Sequence, residues 1–180
     1  MVNIQSDHVM RKIRIEKITL NVGAGKDEDM LKKGLKLLKK LSGVEPLKAI
    51  TKKRIPAWGL RPGLAIGCKI TLRGLSAVEL LKRLLKAREN KLNIKQFDNE
   101  GNVSFGIPEY IDIPGLAYDP DIKIMGLEVA VTLERPGYHV KRRKVQRRSI
   151  PKSHRIGKEE AAQWMIHHFG AIIVREEETV

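Results

Sequence analysis

Apolar and polar residues alternate cleanly from Ile18 onward, with Ile18, Leu20 and Val22 on one side and Thr19 and Asn21 on the other. Residues 13–22 therefore predict a strand. Residues 65–73 alternate more cleanly still: Ile66, Cys68, Ile70 and Leu72 share one side, and Lys69, Thr71 and Arg73 the opposite one. In residues 126–134, Leu127, Val129, Val131 and Leu133 point inward, leaving Glu128 and Glu134 on the exposed side. Residues 47–51 form a shorter strand candidate and AIIV, after Gly170, another. Between these the period becomes helical. Asp27 serves as N-cap of a helix to about Leu41, with Leu31, Leu35, Leu38 and Leu41 as its stripe and Ser42-Gly43, then Pro46, as its stop. Ser76 and Glu79 match a capping box opening a helix to about Glu89. A last helix runs from about Lys158 to Phe169. Strands and helices interleave without βαβ regularity, and the strands keep one polar side. That predicts an α+β fold: a mainly antiparallel sheet with helices packed on one face and the other face free.

Charge says what the free face is for. Thirty-five Lys and Arg against 21 Asp and Glu give a net charge of +14, which favours polyanionic partners. No apolar run approaches the roughly 20 residues of a spanning helix, so a membrane partner is not expected. The N-terminus has no apolar signal region, and one cysteine, Cys68, allows neither an intramolecular disulfide nor a cysteine metal cluster. The chain reads as soluble, intracellular and, at 180 residues, one domain.

The glycine-rich turn Gly23-Ala24-Gly25-Lys26 between a strand and a helix resembles a phosphate loop but lacks its chemistry. Position 20 is Leu20 instead of glycine, Asp27 stands where a magnesium-holding hydroxyl belongs, and Asp27, Glu28 and Asp29 would repel phosphate. The five histidines show no metal-ligand spacing, and no nucleophile signature accompanies them. An enzyme, a metal site and a cofactor are not expected.

Three groups suit RNA instead. If the strands at 13–22 and 65–73 pair, Thr19, Asn21, Lys69, Thr71 and Arg73 form one polar patch with the hydroxyls, amide and cations that phosphate, ribose and base edges accept. The loop at 52–64 has no acidic residue and offers Lys52, Lys53, Arg54 and Arg61 around Trp58, which either stacks on a base or tucks into the body. Residues 138–155 hold eight Lys or Arg and no acid, among them Lys141, Arg142, Arg143, Lys144, Arg147 and Arg148. Such a segment is expected to need a polyanion beside it to keep a fixed shape. A nonspecific nucleic-acid-binding protein is the alternative reading.

The strings "EKITLNVGAG", "TKKRIPAWGLRPGLAIGCKITLRG", "FGIPEYIDIPG", "YDPDI" and "GLEVAVTLERPGYHVKRRK" together resemble the large-subunit ribosomal protein five family, the universal binders of 5S rRNA. The short N-terminus and the basic segment after Pro136 are similar to its archaeal and eukaryotic branch, the archaeal form best. The resemblance implies a structural, non-enzymatic protein of the cytoplasmic ribosome, placed in the central protuberance beside large-subunit rRNA and other ribosomal proteins. It implies that Thr19, Asn21, Lys69, Thr71 and Arg73 recognise 5S rRNA. It also implies that the loop from Lys52 to Gly63 reaches peptidyl-site tRNA, and that the protein helps bridge to a protein of the small-subunit head.

Overall fold

The alternation at residues 14–23 becomes β1 (Arg14–Gly23), the middle strand of a five-stranded sheet. Its neighbours are β3 (Ala65–Leu72) on one side and β6 (Leu127–Glu134) on the other; β2 (Leu47–Ile50) and β5 (Val103–Ile107) are the edges. Every neighbouring pair is antiparallel. The computed structural model describes residues 8–175, so the ends of the domain expected over 1–180 lie outside the described residues.

One sheet face carries Ile18, Leu20, Cys68, Ile70, Val129, Val131 and Phe105, all buried. Against it lie α1 (Glu28–Ser42) and α2 (Leu75–Ala87), whose Leu37, Leu38, Leu81 and Leu84 are buried in the same core. The helix positions follow from local chemistry. Asp27 caps α1 as expected, its carboxylate accepting from the backbone N–H groups of Asp29 (2.9 Å) and Met30 (3.3 Å). Gly43, in the left-handed region at φ 70°, ends it. Within α1, a Cβ on Gly34 would lie 2.9 Å from Cys68 Sγ, so the missing side chain is what lets the helix approach β3. The fold is α+β, with a mainly antiparallel sheet.

Two local expectations are corrected. The capping box at Ser76 and Glu79 does not open α2; Gly74 is the N-cap, without a side-chain hydrogen bond. At φ 68° Gly74 swings the chain from β3 directly into helix, so Ser76 already lies inside the first turn. The helix also ends at Ala87, short of Glu89, because Glu89 and Asn90 both take positive φ.

Beyond the main sheet, β4 (Lys91–Asn93) pairs in parallel with β7 (Ile172–Val174), the strand expected in AIIV. A one-turn helix, α3 (His139–Arg142), opens the basic segment. The last helix is α4 (Lys158–Phe169), closed by Gly170 at φ 64°. It buries Ala161, Trp164 and Met165.

Candidate nucleic-acid interface

Pairing of β1 with β3 sets Thr19 opposite Thr71 and Asn21 opposite Lys69. Because adjacent antiparallel partners share a face, these four side chains project together from the side of the sheet away from α1 and α2. The rows continue across the sheet: Ser104, Ala130, Thr19 and Thr71 in one, and Gly106, Glu128, Asn21, Lys69 and the exposed Leu47 of β2 in the next. Most of these residues are small, so the face is a low shelf from which Lys69 and Leu47 stand up. Glu128 is the exception, accepting a hydrogen bond from Asn21 Nδ2 at 3.1 Å. Asn21 must break that bond, or share it, to meet a ligand.

Arg73 does not join the shelf directly. It lies just past β3, and its guanidinium donates to the Glu16 carboxylate (3.1 Å) and backbone carbonyl (3.4 Å). Glu16 is the extra residue of a bulge: Ile15 faces Leu133, and Lys17 already faces Thr132. The bulge brings the Glu16 side chain among cations. Arg142 hydrogen-bonds it too, and Arg142 also reaches Glu134 at 2.8 Å, which pairs with Arg14 at 2.7 Å. Three guanidiniums thus surround two carboxylates at one end of the sheet. Burial would raise the Glu16 pKa, but the Arg73 hydrogen bond and the charge and hydrogen bond of Arg142 outweigh it and hold the carboxyl below its ordinary value. Glu134, expected on the exposed side of its strand, is only 7% exposed, since Arg14 and Arg142 cover it.

The loop at 52–64 is closed at its base. Thr51 N–H donates to the Leu64 carbonyl (2.8 Å), Gly63 N–H to the Thr51 carbonyl (2.9 Å), and Leu60 is buried. Its middle is a 3-10 turn, Pro56–Trp58, ended by Gly59 at φ 59°. Trp58 is 65% exposed, so of its two readings the structure takes the outward one. Lys52, Lys53, Arg54 and Arg61 are exposed around it. The Lys26 side chain occupies the space a Cβ on Gly59 would need. The glycine-rich turn therefore delivers its lysine to this loop, adding a fifth cation.

The basic segment lies packed onto the body of the domain. Arg135, 6% exposed, donates to the carbonyls of Arg11 (3.1 Å), His154 (3.3 Å) and Arg155 (3.4 Å), and pairs with Glu160. Tyr138 Oη donates to the His154 carbonyl (3.2 Å) and accepts from Ile156 N–H (3.1 Å). Ile150 and Ile156 are buried. The acids that the segment lacks come from elsewhere: Glu16 and Glu134 for Arg142, and Glu100 for Lys141 at 2.8 Å. Arg143 and Arg147 bond their Nε–H groups to the backbone carbonyls of Gln146 (2.8 Å) and Lys141 (2.6 Å). Lys144 and the side chain of Arg148 stay exposed. Among the described residues no cluster of His, Cys, Asp or Glu suits a metal ion, and no helix is long and apolar enough to cross a membrane.

Two family models match the chain. One, described as "Ribosomal protein L5", covers residues 8–61; the other, which describes the C-terminus of the same ribosomal family, covers residues 65–164. The chain is 48% identical over 169 residues to the large ribosomal subunit protein uL5 of Nanoarchaeum equitans, spanning 93% of this chain and 99% of that protein. The protein of the same name from Sulfurisphaera tokodaii is 45% identical over 175 residues, 97% of this chain and 99% of its own length. That from Methanococcus vannielii is 44% identical over 170 residues, 93% of this chain and 94% of its own.

The chain belongs to the ribosomal protein L5 family.

The two L5 models meet inside the sheet. β1 and β2 fall in the first, and β3, β5 and β6 in the second. The pairing of Thr19 with Thr71 and Asn21 with Lys69 therefore joins the two matched parts across one ladder. Four residues of consequence are missed by the sequence reading. Lys26 counts there only as part of a failed phosphate loop, and its place beside Gly59 depends on a loop more than 30 residues away in sequence. Arg135 and Tyr138 are given no role there, and Arg155 counts only among the eight cations of residues 138–155. The single available signal is the Arg135-Pro136-Gly137 turn, which sends the chain back past the end of β6.

Proposed function

We propose that this chain is a structural constituent of the large ribosomal subunit, acting as one 5S rRNA-binding domain. The exposed shelf of the sheet is its 5S rRNA surface: Thr19, Asn21, Thr71 and Lys69 contact ribose, base edges and phosphate, and Arg73 stands at the border. The observation that carries this reading is the register that sets Thr19 on Thr71 and Asn21 on Lys69, on the face away from the helices. A low shelf suits an irregular RNA region, whose splayed bases and backbone present edges that an A-form major groove hides. Lys52, Lys53, Arg54, Trp58 and Arg61 reach peptidyl-site tRNA; their exposure on a loop with a closed base supports that role. Lys144 and Arg148 of the basic segment meet further large-subunit rRNA. Neighbouring proteins of the central protuberance and a protein of the small-subunit head complete the set of partners. The L5 relatives, each named as a large ribosomal subunit protein, support the assembly to which these contacts belong.

The test is a pair of substitutions, Asn21→Ala with Thr71→Ala. Two lost hydrogen bonds at roughly 1 kcal/mol each weaken 5S rRNA binding by about 30-fold. Binding is measured beside a scrambled RNA of equal length, across a salt titration. Unchanged 5S affinity in the double variant would remove the sheet face from the site. Equal affinity for both RNAs at every salt concentration would leave only nonspecific nucleic-acid binding.

A further inference from the structure

Behind α3 the basic segment encloses a cavity of about 270 Å³. Lys141, Arg147, Arg148 and Arg155 line it, together with Tyr138 and Ile150. The one acid among these lining residues, Glu100, is already paired with Lys141 at 2.8 Å. Three guanidiniums are left without a carboxylate among the described residues. Two of them are fixed in place by a backbone bond: Arg147 Nε donates to the Lys141 carbonyl (2.6 Å) and Arg155 Nε to the Ile150 carbonyl (3.1 Å). Among the described residues the Nη donors of both make no further hydrogen bond. Arg148 makes no side-chain hydrogen bond among the described residues.

We propose that this cavity takes one unpaired RNA nucleotide, with its phosphate on the arginines and its base against Tyr138 and Ile150. The proposal rests on the RNA-binding reading above and adds a site separate from the sheet shelf. Three features select this occupant. The space is about nine times the ~30 Å³ share of a water molecule, more than the four oxygens of a phosphate fill. An aromatic and an apolar side chain beside four cations match the two halves of a nucleotide, a π-faced base and an anion. Guanidinium forks already oriented by their Nε bonds match phosphate oxygens with little loss of freedom. A duplex offers its phosphates on a convex surface and cannot enter. An acidic peptide would put carboxylates on the arginines but bring them next to Glu100 and leave Tyr138 without a planar partner.

The full-length chain, labelled with nitrogen-15, is titrated with each of the four nucleoside 5′-monophosphates, with inorganic phosphate and with a hexaglutamate peptide. The expected result is a set of amide shifts confined to Tyr138, Arg148, Ser149, Ile150 and Arg155. At least one nucleotide binds about tenfold more tightly than inorganic phosphate, the gain that one stacked base contributes. Arg148→Ala weakens that binding about fivefold or more, by loss of a charged hydrogen bond. Ser149→Phe, which puts a bulky ring on a lining position, removes it. Both variants keep the parent's urea midpoint, since both positions are exposed. Equal affinity for phosphate and nucleotide would overturn the proposal in favour of a simple anion seat. Tighter binding of hexaglutamate, shifts on the sheet face or no localised shifts would overturn it outright. The outcome is independent of the sheet-face test: nucleotide binding at these residues can hold while the Asn21 and Thr71 variant binds 5S rRNA normally, and the reverse.

Discussion

Replacing Glu16 with glutamine tests whether the three-arginine, two-carboxylate group at the end of the sheet holds the basic segment in place. Glutamine keeps the shape and one acceptor but loses the charge that Arg73 and Arg142 share. A hydrogen bond to a charged group is worth roughly 1.5–3 kcal/mol when shielded. Arg73 and Arg142 are about half exposed, so solvent and salt reduce that, and a loss of about 1–2 kcal/mol is expected. For a chain of this length that is a fall of about 3–6 °C in Tm. Urea unfolding followed by the fluorescence of Trp164, the buried tryptophan, gives the free energy directly. The pH dependence carries the sign. Because the folded Glu16 carboxyl titrates below its ordinary value, its contribution is present above the unfolded-state pKa and is lost as pH falls through the lower folded-state pKa. Parent and variant should therefore differ at neutral pH and converge in acid. RNA affinity should move the opposite way: Arg73 is freed while Arg142 keeps Glu134, and the slope of log affinity against log salt steepens by up to about 0.9. Equal stability at neutral pH, or a gap that persists below the carboxylate range, would refute the role given to Glu16.

Further outcomes follow from the packing and the loop. Gly67→Ala places a Cβ 2.6 Å from the Val22 carbonyl in the middle of the sheet and should cost about 1–3 kcal/mol in urea unfolding. Cys68 is fully buried and burial pushes its thiol up to about 11, so iodoacetamide at pH 8 should label it only as fast as the chain unfolds. Alanine at Lys53, Arg54 and Arg61 should leave 5S rRNA affinity unchanged and weaken peptidyl-site tRNA binding in assembled ribosomes; loss of 5S binding would assign the loop to the first site. Because all three side chains are exposed, stability should change by no more than about 0.5 kcal/mol each.

What the sequence determined by itself is local and periodic. The two-residue alternation of β3 and β6 fixes which side chains face the helices, because a pleated strand leaves no other choice. Asp27 and the leucines of α1 specify that helix in the same way, and the shelf of Thr19, Asn21, Lys69 and Thr71 follows once the two strands pair. The tertiary structure alone decided the rest. The bulge at Glu16 shows in the alternation only as a slip of parity, from Ile13 and Ile15 to Ile18 and Leu20; which cations the extra residue meets is decided by the fold. Glu134 follows the exposed parity of its strand, yet is covered by Arg14, 120 residues earlier, and by Arg142. The basic segment holds no acid of its own; Glu16, Glu100 and Glu134 reach it through the sheet and its turns. Lys26 meets Gly59 for the same reason. A side-chain period is set within a few residues, whereas the partner of a charge is whatever the folded chain brings within a few ångströms.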